Sequence, residues 1–161
     1  MTTQSQATIN VPISTDFPIN RIIDLMVGGF EQSIYYWARR AKHEIPEGFD
    51  MEAYRRRNGF TDRWEYGTDY YQIHDFYLAP FVGGAIIFEE FDEGDCSTTN
   101  VHRLDLAAIQ RGLALMAAGG PEGKKWDCKG SHFADWLNED DDATTADVFI
   151  QCCVLGDIVY G

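Results

Sequence analysis

Few segments constrain a fold as tightly as Ala146-Asp147-Val148-Phe149-Ile150-Gln151-Cys152-Cys153-Val154-Leu155, followed by Gly156-Asp157-Ile158-Val159-Tyr160-Gly161. A helix over Thr145 to Leu155 is apolar nearly all round, and such a helix belongs at the centre of a core. Segments at chain ends usually turn polar, but this one stays apolar to its last residues. It is therefore expected inside the core. A length of 161 residues allows one sizeable core. The reading is one α+β domain over residues 17–161, preceded by a flexible segment, 1–16.

The second dense segment opens at Asp16-Phe17-Pro18, a capping residue followed by a proline near the first helical position. Ile19, Ile22, Ile23, Met26, Val27, Phe30, Ile34 and Trp37 follow at helical spacing, so the pattern predicts one helix of about five turns. Gly28-Gly29 interrupts it at about 1 kcal/mol per glycine relative to alanine. Close packing of another backbone, a kink or a ligand must offset that cost. After an irregular stretch with a short helix near Met51 to Arg57, three strands are predicted: Tyr70 to Leu78, Ala85 to Phe91 and Thr98 to Leu104. They would form an antiparallel meander. Asp105 caps a helix ended by Gly119-Gly120-Pro121, a short helix spans Lys129 to Asn138, and the run Asp140-Asp141-Asp142 precedes the last, buried helix.

The formal net charge of -13 is uneven: residues 1–63 are balanced, and residues 64–161 carry all of it. That field repels phosphates, which argues against direct nucleic-acid binding outside the basic N-terminal cluster. It permits mimicry of nucleic acid, and also the simple role of a solvated surface. No apolar run has membrane-spanning length, and residues 1–10 lack the features of a signal peptide, so a cytoplasmic protein is expected. Cys152 and Cys153 sit in the apolar segment as small hydrophobes rather than disulfide partners.

Metal chemistry is poorly served. Cys128, His132, Cys96 and His102 give one short-spaced pair where structural zinc needs two. The aspartate run lacks the alternation and glycine turn of a calcium loop. No nucleophile elbow, phosphate loop or dinucleotide fingerprint occurs. His74-Asp75, on a predicted strand, would point to opposite faces, and His43 reads as a solvated helix end. What remains is the mixture after the glycine pair: Tyr36, Trp37, Arg39 and Arg40, with Arg55 to Arg57 beyond. Aromatic faces stack on bases and arginine forks hold phosphates, although such aromatics also serve as core and such arginines complement a helix end. Asp157, a carboxylate in an apolar context, needs a partner, for which an arginine of the first helix would serve, and Tyr160 could close the same region. The candidate ligand site is thus Gly28, Gly29, Tyr36, Trp37, Arg39, Arg40, Asp157 and Tyr160, with no metal and no cofactor.

Gly28-Gly29 before Tyr36-Trp37, Leu104-Asp105-Leu106 with Arg111-Gly112-Leu113, His132-Phe133-Ala134-Asp135, and the closing Gly156-Asp157-Ile158-Val159-Tyr160-Gly161 together resemble a recurrent family of small phage and prophage accessory proteins. The interval from the glycine pair to Tyr36-Trp37 is longer than in that pattern, and Lys124 to Lys129 reads as an insertion. The resemblance implies a viral accessory gene product acting against host defences in an infected bacterium. The expectation is a non-enzymatic sponge for a small, anionic, nucleotide-type immune signal, in which a homo-oligomer is allowed. The alternative is an acidic nucleic-acid mimic or protein inhibitor of a host defence complex, in the manner of anti-CRISPR proteins. An enzyme degrading the signal comes third.

Overall fold

The computed structural model describes residues 16–60, 64–66, 69–71, 74–91, 97–121 and 131–161. The flexible segment expected before residue 17 falls, apart from Asp16, outside the described residues. So do Cys96, Cys128 and the insertion at Lys124 to Lys129. The fold is α+β, with an N-terminal helix, a three-stranded antiparallel sheet and C-terminal helices.

Helix α1 covers Ile19–Gly28 and buries Ile22, Ile23, Leu25 and Met26. Pro18, not Asp16, occupies its N-cap, without a side-chain hydrogen bond. The predicted five-turn helix does not continue to Trp37. At Gly29 it widens into a π turn, Gly29–Ser33, then tightens into a 3-10 turn, Ile34–Tyr36. Ser33 contributes to the change: its hydroxyl donates to the carbonyls of Gly28 and Gly29, both at 3.3 Å, competing with the helical ladder. Strand β1, Ala38–Glu44, then takes the place of the helix end expected around Arg39, Arg40 and His43.

Helix α2 spans Met51–Asn58, with Asp50 accepting from the Ala53 amide at 2.8 Å. A small hairpin pairs β2, Trp64–Tyr66, with β3, Asp69–Tyr71. The strand predicted over Tyr70 to Leu78 is largely overturned. His74 Nδ1 accepts from the Phe76 amide at 3.1 Å and starts a one-turn helix, α3, Asp75–Leu78, which passes into a 3-10 turn over Ala79–Val82. Strands β4, Ala85–Phe91, and β5, Thr98–Leu104, fall where the sequence reading places them. In the main sheet β4 is central, between β1 and β5. The four residues of β1 from Arg39 to Lys42 lie opposite the three of β4 from Glu89 to Ile87, a bulge in which Arg40 takes a φ of 53°.

Helix α4, Leu106–Ala118, is capped by Asp105, and α6, Ala143–Val154, by Asp142, whose carboxylate accepts from the Thr145 amide at 2.8 Å. Between them α5, Ser131–Leu137, docks on α1: Trp136 Nε1 donates to the Arg21 carbonyl at 3.3 Å, and the Arg21 guanidinium donates to the Trp136 carbonyl. Helix α6 is buried from Thr145 to Cys153. It packs against α1, the π turn, α4 and α5. Cys152 and Cys153 are both buried, and burial pushes the thiol of Cys153 up.

The glycine pair is explained by this packing. A Cβ on Gly28 would lie 3.0 Å from Ala146 Cβ, and one on Gly29 only 2.7 Å from Ile150 Cγ1. Ile150 is fully buried and cannot retreat. Gly29→Ala is expected to lower stability by about 1 to 2 kcal/mol, overpacking outweighing a propensity gain of at most about 1 kcal/mol. Urea unfolding of Gly29→Ala, Ile150→Ala and the double variant measures the coupling, which should be favourable. Additive losses would show that the helices do not meet here as described.

Candidate functional site

Two carboxylates that the core cannot leave unpaired organise the region between α6, the 3-10 turn and the sheet. Asp147 projects from the first half of α6 and is 7% exposed. Trp37 Nε1 donates to its Oδ1 at 2.8 Å, while Tyr36 Oη at 2.6 Å and Gln151 Nε2 at 3.0 Å donate to its Oδ2. Both carboxylate oxygens accept, and the phenol and the indole each donate their one polar hydrogen. The abrupt exit from α1 is what turns Tyr36 and Trp37 towards it.

Gln151 lies one helical turn further on and ties down the segment after α6. Its Oε1 accepts from the Val159 and Tyr160 amides at 2.8 Å each, and its Nε2 also donates to the Tyr160 carbonyl at 3.0 Å. One amide side chain thus satisfies three backbone groups that a β-strand neighbour would otherwise serve. The segment is held flat against the core, and the Tyr160 ring stacks on Trp37 with centroids 5.3 Å apart and planes 7° from parallel. Tyr36 meets the same ring edge-on at 6.4 Å.

The Tyr160 hydroxyl reaches the second carboxylate, Glu90 of β4, donating to its Oε1. Glu90 Oε2 receives Asn100 Nδ2 at 2.9 Å and His102 Nε2 at 2.7 Å, both from β5. Burial opposes the charge on Glu90, but hydrogen bonds from Tyr160, His102 and Asn100 outweigh it and hold the carboxyl below its ordinary value of 4.5. A group depressed on folding adds stability above its unfolded value and loses it as pH falls through the folded one. Unfolding free energy should therefore drop more steeply in the wild type than in Glu90→Gln as pH falls below about 5. Parallel acid limbs in denaturant titrations at stepped pH would remove Glu90 from the account.

Of these groups Tyr36, Glu90 and Tyr160 line a cleft of about 510 Å3, together with Phe91, Thr99, Val159 and Gly161. Its size falls within the range of small-molecule sites, about 300 to 1,000 Å3. Three aromatic residues wall it, and Val159, 60% exposed, stands at its rim.

Of the residues singled out in the sequence, Tyr36, Trp37 and Tyr160 come together here, with Trp37 beneath Tyr160 rather than on the surface. Gly28 and Gly29 do not line the cleft; they seat α6. Arg39 and Arg40 sit on β1, not at a helix end. Arg40 bonds Glu89 Oε2 at 3.2 Å, and Arg39 Nε lies 3.7 Å from the same atom. Arg39 also donates to Thr98 Oγ1 at 3.2 Å and stands over the Phe91 ring at 5.1 Å, one ring beyond the cleft. Asp157 accepts from the Ile158 amide at 2.9 Å, as a turn residue. The fully engaged carboxylate in apolar surroundings is Asp147, a residue that the same reasoning on the sequence should have found inside Ala146 to Cys153. His43 and His74 meet edge-on at 5.9 Å; His43 is exposed, but on β1 rather than at a helix end, and His74 caps α3 rather than lying on a strand. Arg55 pairs with Asp75 through Nε at 3.2 Å. Among the described residues no group of three or more His, Cys, Asp or Glu side chains is placed to hold a metal, and no helix is long and apolar enough to cross a membrane.

Compared with protein-family models, curated proteins and solved structures, the chain matches none.

Proposed function

We propose that the protein is a non-enzymatic binder that sequesters a nucleotide-type small molecule, with the base in the aromatic cleft and the phosphates directed towards Arg39. The observation that carries this reading is a cleft of about 510 Å3 walled by Tyr36, Phe91 and Tyr160, since rings of this kind stack on bases. Binding is favoured over turnover because Glu90 already accepts from three side chains. A carboxylate so engaged, with its proton affinity lowered, makes a weak general base. Read with the resemblance to phage accessory proteins, the ligand is an immune signal and the setting is the cytoplasm of an infected bacterium.

The rival reading, an acidic inhibitor of a host defence complex, draws on the net charge of -13. Several of the acids it needs are already engaged: Asp142 caps α6, Asp141 lies 3.7 Å from Arg21, and Glu89 pairs with Arg39 and Arg40. Asp92 and Glu93 lie outside the described residues.

Calorimetric melting with cyclic nucleotides and ADP-ribose derivatives tests the proposal. A ligand at 100 times its Kd should add about 2.7 kcal/mol of stability, and mass spectrometry should recover it unaltered. Chemical conversion of the ligand would replace the sponge by an enzyme. Absence of any shift, together with loss of activity when Asp140 to Asp142 are neutralised, would favour the acidic inhibitor.

A further inference from the structure

We infer that the cleft selects a base presenting adjacent N–H donors, a guanine-type edge, rather than an adenine-type one. The inference rests on the reading of the cleft as a ligand site and concerns the polarity of its wall. Three side chains there carry oxygen atoms whose hydrogen-bonding sense is settled by their neighbours. The Tyr36 hydroxyl donates its hydrogen bond to Asp147, and the Tyr160 hydroxyl donates its own to Glu90. Each phenol has one proton, so each oxygen meets a further partner as an acceptor.

Glu90 is an acceptor as well. Two of its three donors converge on Oε2 and one on Oε1, while an ionised carboxylate offers about four lone-pair positions. A position on Oε1 therefore remains, next to the Tyr160 oxygen. Among the described residues that line the cleft there is no lysine or arginine, and Glu90 is the one with a charged side chain.

A wall made of neighbouring acceptors discriminates by what it cannot do. Against the N1–H and exocyclic amino group of guanine it completes two hydrogen bonds side by side. Against adenine, whose corresponding edge offers one donor and one acceptor, a lone pair would face a lone pair in a site partly closed to water. Hypoxanthine keeps the ring N–H and lacks the amino group, so it should stand between them. Buried polar groups left without partners are the strongest source of such discrimination. The remaining hydroxyl, on Thr99, can both donate and accept and does not alter this polarity.

The test is titration of the full chain with GMP, IMP and AMP at neutral pH, followed by calorimetry and by the amide resonances of Thr99 and Gly161. GMP should bind tighter than AMP by about tenfold or more, with IMP between. In Glu90→Gln, where an amide puts a donor where the carboxylate accepted, the order should flatten, with melting followed in parallel to confirm the fold. The comparison among the three nucleotides in the wild type needs no variant. Equal binding of GMP and AMP at the Thr99 and Gly161 resonances, or tighter binding of AMP, would overturn the donor-edge inference and leave the cleft as a site. No binding by any of the three, or binding that leaves those resonances unmoved, would overturn the cleft reading along with it.

Discussion

Replacing Asp147 by alanine should cost about 4 kcal/mol or more. Three donors meet that carboxylate, from Trp37, Tyr36 and Gln151, and Trp37 is fully buried. Water cannot reach the indole N–H to replace the lost acceptor, and a hydrogen bond to a charged group is worth about 1.5 to 3 kcal/mol. For a chain of this size the loss should lower Tm by roughly 10 °C. Asp147→Asn has nearly the same shape but brings an NH2 group against donors, so it should fall between alanine and wild type. Calorimetry of both variants measures this. A drop in the alanine variant of under about 1 kcal/mol would mean that the three donors find other partners.

Gly112→Ala should be as damaging through sterics alone. A Cβ there would lie 2.3 Å from Cys153 Sγ and 2.8 and 2.9 Å from the Cys153 backbone N and Cα. Side-chain overpacking costs about 1 to 3 kcal/mol, and here the obstacle includes backbone that no rotamer change can move. The α4–α6 pair would have to separate along its length. The diagnostic is that Cys153→Ala, which removes the sulfur, should recover only a minor part of the loss in urea unfolding. Full recovery would place the limit at the sulfur instead. Gly119, whose added Cβ would meet nothing within 4 Å, shows that small size is not the requirement at every glycine; its φ of 73° is what an alanine would strain.

The parts of this fold written in local pattern were legible. Asp105 and Asp142 cap the helices they precede, and the apolar run Ala85-Ile86-Ile87-Phe88 marks the central strand. Strand β1 was not legible, because Ala38–Glu44 is an edge strand rich in charge, with a bulge that breaks its register. Charged edges protect sheets from pairing with other chains, and for that reason they do not read as strands. The aromatic run before Pro80 misled in the opposite sense: its composition suits a strand, but the cap formed by His74 makes a helical turn. In the site, Tyr36, Trp37 and Tyr160 stood out as aromatic residues. Their partners did not. Asp147 lies 110 residues from Trp37 and Glu90 lies 70 from Tyr160, and no short-range pattern encodes a pairing at such distances.

That long reach has a bearing on how the protein is made. A ribosome adds roughly 5 to 20 residues per second, so the 110 positions between Trp37 and Asp147 correspond to about 5 to 20 s of elongation. Throughout that interval the nascent α1 and β1 exist without the helix that covers them. Ile22, Ile23, Met26 and the Trp37 indole, all buried in the finished molecule, are then open to the cell interior. Their full shelter arrives only when α6 emerges, so the unfinished polypeptide exposes apolar surface for most of its synthesis.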